Sequence, residues 1–217
     1  MEVPVPAASS VSVAYLQGLL DYLERQGFAS TELLAKVQLN PAILAQRDQR
    51  IAVSTYLELL GEGVRLTGDA NLGLHLGEAM RPGYYGVLGY LIMSCATLAD
   101  ALHRQARYAA LVGNLGRVDL DEEPPRAGLE PQVAHSWEPL VHQQQRQHSE
   151  ETLAGWLTFG RWITGLQISP TEVRFQHPAP ADTSEHRRIF GCPVLFGQAA
   201  CGIRRTIPPR GLSISPA

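Results

Sequence analysis

The sequence predicts an α+β fold, with a helix-rich N-terminal half followed by a small mixed β-sheet with crossing helices. Three observations carry that prediction. Up to about residue 113, apolar residues recur at helical spacing; from 114 to 207, short alternating or apolar runs bounded by turn formers take over; and the two kinds of segment are segregated along the chain. With 217 residues, 45% hydrophobic and 18% charged, the chain is long and apolar enough to bury a sizeable core.

Residues 1–12, rich in Pro, Ala and Ser, read as a flexible leader. Val13, Leu16, Leu19, Leu20 and Leu23 then mark one face of a helix that Gly27 stops, since glycine enters the left-handed region freely. Ser30 or Thr31 caps a short second helix, and Asn40-Pro41 interrupts because a residue before proline is pushed out of the helical well. Ser54 starts a helix with Tyr56, Leu59, Leu60 and Val64 inward; Asp69 caps the next, which Arg81-Pro82-Gly83 breaks. Residues 85–95 form the most apolar stretch, with Gly86 and Gly89 allowing close backbone approach. Thr97 to Asp100 resembles a capping box for a helix that ends at Gly113-Asn114.

Residues 115–120 and 129–135 flank the turn-forming run DEEPPRAG and predict a β-hairpin. Pro139 opens a long helix, polar at first, whose inward face is Leu153, Trp156, Leu157, Gly160 and Ile163. A strand over 172–176, a capped helix from Asp182 closed by Gly191, a strand over 193–196 and a segment 201–207 pairing with it complete the order β-β-α-β-α-β. One domain over 13–207 results, its helical part about 13–113 and its sheet part about 114–207, with 208–217 as a loose tail.

Several function classes fall away. A net charge of −3 and a pI near 6.2 argue against this chain gripping a phosphate backbone by itself. Three cysteines without CxxC spacing suggest neither a zinc site nor a disulfide framework. There is no apolar run of about 18–20 residues and no signal-peptide pattern, so a cytoplasmic protein without membrane contact is expected. The glycines of GYYGVLG match neither phosphate-binding loop and are better explained by helix packing. No GxSxG serine and no Cys–His arrangement is present. Adjacent Glu150 and Glu151 diverge on a helix and read as a solvated face; His142 and His148 read as surface residues; His103 reads as a hydrogen-bonded helix residue before a haem ligand. No catalytic residue, metal or cofactor is expected.

Tyr84, Tyr85, Tyr90, Tyr108, Trp156 and Trp162 provide aromatic area near glycines, which suits either a packed core or a small-molecule cavity. Residues 81–108, RPGYYGVLGYLIMSCATLADALHRQARY, decide the direction. Arg81, Pro82, Gly83, Gly86, Leu88, Gly89, Tyr90, Thr97, Leu98, Ala101, Leu102, Arg107 and Tyr108 resemble the arabinose-binding-type N-terminal domain of AraC family transcription regulators. LGLHLG before it, with EVRFQHPAP and FGCPVLFGQAACGI after it, extends the resemblance over about residues 13 to 203. The resemblance implies an effector-sensing or dimerisation domain, with arabinose itself not implied. It also implies a homodimer that contacts DNA only through a C-terminal helix-turn-helix domain that this chain lacks. A small-molecule effector is expected between the 84–95 helix and the sheet, lined by Tyr85, Gly89, Tyr108, Trp156 and Phe175. The alternative is a purely structural dimerisation domain that offers the 139–164 helix as its contact face.

Overall fold

The computed structural model describes residues 9–123, 132–139, 145–206 and 212–214. Residues 10–12, expected in the leader, form β1 (Ser10–Ser12), which pairs antiparallel with β2 (Arg50–Ala52). Fully buried Val11 explains why this segment is held, and Arg50 staples it through hydrogen bonds to the Ser10 hydroxyl (2.7 Å) and carbonyl (2.9 Å). Ser12 caps α1 (Val13–Arg25) by accepting from the Tyr15 amide, and Gly27 follows the helix with a positive φ. α2 (Ser30–Lys36) has Ala29 at its N-cap with no side-chain bond, whereas Asn40 caps the short 3-10 turn Pro41–Ala45. α3 (Val53–Thr67) begins at the end of β2, with Ala52 and not Ser54 as its cap, and Gly68 closes it in the left-handed region.

α4 (Leu72–Ala79) leads through a 3-10 turn, Pro82–Tyr85, into α5 (Gly86–Met93). Gly86 carries φ 56 and ψ −136, a conformation in which a side chain would be strained. Thr97 accepts from the Asp100 amide at the head of α6 (Leu98–Tyr108), as the capping pattern predicts. Residues 212–214 run back against that head. Leu98 donates its amide to the Leu212 carbonyl (2.8 Å), Ile214 donates to Ala96 (3.1 Å), and Thr97 and Ser213 form an antiparallel bridge.

The second half is a five-stranded sheet in the order β3-β4-β7-β5-β6, formed by β3 (Gly116–Glu123), β4 (Gln132–Pro139), β5 (Glu172–Arg174), β6 (Val194–Leu195) and β7 (Cys201–Thr206). The hairpin is longer than its sequence suggests. Residues 121–123 continue β3 where a turn was expected, and β4 runs on to Pro139, which pairs with Gly116 and does not open a helix. The rest of the expected turn, the expected strand start at 129–131, residues 140–144, and the outer parts of the leader and tail lie outside the described residues. β7 inserts between β4 and β5, antiparallel to both, in place of the expected pairing with β6. β6 pairs parallel to β5, and α8 (Ser184–Phe190) makes the crossover between them.

α7 (Gln145–Thr164) crosses the inner face of the sheet on one side and packs tightly on α4 on the other. Small residues permit the α4 contact. A Cβ on Gly73 would collide with the Gln147 carbonyl, and one on Gly77 would stand 2.7 Å from the Ala154 Cβ. This helix is therefore an internal spine, which removes most of the face that a dimer contact along 139–164 would need. One apolar core fills the space among α1–α6, and a second, built on Leu153, Leu157, Val173, Phe175 and Phe190, fills the space between α7, α8 and the sheet.

Candidate functional site

Strand alternation and the β4–β7 register carry Val133, His135, Trp137, Cys201, Ile203 and Arg205 to the sheet face that α7 covers. Trp156 of α7 lies flat on His135, with ring centroids 3.8 Å apart and planes 12° from parallel. A cavity opens on each side of this stack. The first, about 40 Å³, lies between Leu98 and Leu102 of α6, Leu157 and Gly160 of α7, the 168–170 turn, and His135, Ile203 and Arg205 of the sheet. The second, about 60 Å³, lies among Tyr15, Tyr85, Leu88, Gln105, Trp137 and His148. Trp156 lines both cavities, so its indole is the wall between them. A water needs roughly 10–15 Å³ of such space, so each cavity has room for a few waters.

The walls are mostly apolar, and the polar atoms on them stand out. His135 is 4% exposed, its Nε2 has no hydrogen-bond partner among the described residues, and burial pulls its pKa down to about 3. The ring is therefore neutral near pH 7. Burial also pulls the Arg205 guanidinium below its usual range, and no acidic group among the described residues pairs with it. In the second cavity, Gln105 Oε1 and His148 Nε2 are buried without partners among the described residues. Buried polar groups are ordinarily satisfied, so apolar walls with a few waiting donors and acceptors have the character of a small-molecule site.

Of the five residues expected to line an effector site, the structure brings two together. Tyr85 lines the second cavity, its ring stacked on Phe159 with centroids 5.1 Å apart, and Trp156 lines both. Gly89 lines neither cavity, because it presses against the Pro82 carbonyl where α5 folds back on the preceding 3-10 turn. Tyr108 is 38% exposed at the end of α6, beside the Arg107 guanidinium. Phe175 lies fully buried in the second core against Phe190 and Phe196 and lines neither cavity. His135 and Arg205 are the residues missed. The alternation Val133, His135, Trp137 was a usable signal for the first, whereas only the observed register reveals the second.

The carboxylates of α7 also depart from expectation. Glu150 and Glu151 are buried because α7 is covered on both sides. They diverge as adjacent helical residues must, and each serves a different core. Glu150 accepts from Arg146 Nε (2.8 Å) and lies 2.6 Å from His186 Nε2; Glu151 accepts from the Tyr56 hydroxyl (2.5 Å) and lies 3.2 Å from His148 Nδ1. Burial first, and then the Glu151 charge, hold the Tyr15, Tyr56 and Tyr85 hydroxyls well above the usual phenol range. His148 is thus internal, His103 is exposed on α6, and His142 lies outside the described residues. Among the described residues, no group of three His, Cys, Asp or Glu side chains is placed to hold a metal ion. No helix there is long and apolar enough to cross a membrane.

Residues 27–205 match the family model described as the arabinose-binding domain of AraC transcription regulator, N-terminal, and the chain belongs to that family of regulator domains. Among its relatives is the ornithine utilization regulator of Pseudomonas aeruginosa, 26% identical over 191 residues that make up 88% of this chain and 55% of the relative. An uncharacterized helix-turn-helix-type transcriptional regulator of Mycobacterium tuberculosis is 29% identical over 112 residues, half of this chain and 32% of that protein. The chain thus spans about half the length, or less, of the curated relatives it matches. The crystal structure of the transcriptional regulator CdpR from Pseudomonas aeruginosa superposes with a TM-score of 0.57 at 17% identity, covering 93% of this chain and 56% of that one, which supports the fold.

Proposed function

We propose that this domain senses a small effector and passes its occupancy to a DNA-reading module of an AraC-type regulator in the cytoplasm. The observation that carries the reading is the Trp156–His135 stack dividing two cavities whose walls hold unpartnered polar atoms. A ligand that turns Trp156 aside joins the two spaces and meets buried groups that no described residue pairs with. Such a ligand binds one arrangement of α6, α7 and the sheet better than the other, and that difference in affinity is what shifts a regulator between states. DNA contact then belongs to a helix-turn-helix module, a part the longer relatives have room for.

Thermal denaturation against a metabolite set tests the reading. A true ligand at about 100 times its Kd adds about 2.7 kcal/mol, a Tm rise on the order of 5–10 °C for a chain this size. It should also change tryptophan emission, and Trp156→Phe should remove most of that change. If no compound raises Tm, sensing is rejected.

A surface feature supports a second reading, self-association. Val87 and Tyr90 of α5 are each 66% exposed and, with Leu111, border one depression beside Arg47 and Arg50. Exposed apolar groups gathered in one place favour a protein contact. Sedimentation at several concentrations should show a dimer that Tyr90→Glu weakens. A strict monomer at all concentrations excludes it.

A further inference from the structure

Resting on the sensing role just proposed, we infer that the first cavity takes an organic carboxylate with an apolar body, its carboxylate held by Arg205 and His135. Arg205 and His135 lie on neighbouring strands and on one face, since His135 pairs with Ile203 and Arg205 stands two residues further along β7. Diagonal neighbours of this kind have Cβ atoms about 7–8 Å apart, within reach of one anion between a long guanidinium and an imidazole. A guanidinium always carries charge, and its planar donors match a carboxylate in two-point fashion. A neutral imidazole contributes one N–H, so His135 in its Nε2–H form adds a third donor.

Apart from Ser169, the rest of the cavity is apolar: Leu98, Leu102, Leu157, Ile168 and Ile203 face the same space, with the indole of Trp156 across it. A cation that no acidic group among the described residues pairs with, at the rim of such a space, is costly unless an anion arrives. Among the described lining residues of this cavity there is no carboxylate to neutralise an ammonium. This selects against amino acids and diamines and for a simple alkyl or aryl acid. The cavity here is thus unsuited to ornithine, the compound for which the Pseudomonas aeruginosa relative is named.

The experiment compares octanoate and phenylacetate, as alkyl and aryl acids, with octanol, octylamine and ornithine, using calorimetry and thermal shift on the purified chain at pH 7.5. At least one acid should bind at least tenfold more tightly than octanol, and octylamine and ornithine should not bind. Arg205→Met should erase the preference for the acid over the alcohol. Leu102→Trp, which fills the apolar part and keeps the cation, should abolish the binding of both. The two variants cover each other should one fail to fold. Equal binding of acid and alcohol, or of acid to the parent and to Arg205→Met, overturns the inference. A response to octanol, octylamine or ornithine without one to either acid overturns the carboxylate and leaves sensing standing. Silence from this panel and from the wider metabolite set removes both.

Discussion

His135 shows how one buried side chain shapes both a site and its stability. Its ring titrates near 3 in the folded chain against 6.5 when exposed, because burial disfavours the cation. Below pH 6.5 the unfolded chain takes up a proton that the folded chain refuses. The contribution of this group is therefore complete above that pH and declines from 6.5 toward 3, by up to about 1.4 kcal/mol per pH unit. Urea titrations should give a shallower decline for His135→Asn than for the parent over this window; equal slopes would contradict the assignment. Two glycines give a matched pair at the same scale. Gly77→Ala forces a methyl against Ala154 and the Gly155 amide and should cost about 1–3 kcal/mol. Gly61→Ala on α3, where nothing lies within 4 Å of the added carbon, should stabilise by roughly 0.5–1 kcal/mol. Midpoints of urea unfolding, moving in opposite directions, check both.

Among the elements, α7 sets the energetics. Glu150→Ala strands buried His186, takes one acceptor from Arg146, and should cost about 3–5 kcal/mol, as loss of one partner of a buried charged set does. The half-exposed Arg188–Glu78 pair, which ties α8 to α4, should contribute under about 1 kcal/mol, so Arg188→Ala should unfold near the parent midpoint. Helices with a wide apolar face and a local stop were legible from residues alone: α1 with Gly27, α6 with Thr97, α8 with Gly191. β1 and β2 were not, because three-residue strands beside helices show no alternation. The end of β4 misled because proline suits the first turn of a helix, while here Pro139 ends a ladder opposite Gly116. The burial of Glu150 and Glu151 was hidden because periodicity gives a residue's direction on a helix without saying how many neighbours surround that helix. For the same reason the candidate site was half legible. Aromatic size pointed to Tyr85 and Trp156, whereas His135 and Arg205 meet only through the pairing of two strands far apart in sequence.

At the scale of the molecule, the two cores share the α4–α7 seam. Leu72 and Leu76 of α4 pack into the helical core and Leu74 into the sheet core, so neither core keeps its walls when the other is lost. Far-UV dichroism, dominated by the helices, and fluorescence from Trp137 and Trp156 beside the sheet should report one coincident urea transition. Separate midpoints would show that the seam does not couple them. The same connectedness reaches residues 212–214, which are moored to the head of α6, where Leu98 serves both the mooring and the wall of the first cavity. Deuterium uptake at the Leu98 and Ile214 amides should therefore act as a built-in gauge of filling. A guest that braces α6 slows the exchange, one that pries it outward quickens it, and either change can be followed without labelling the guest.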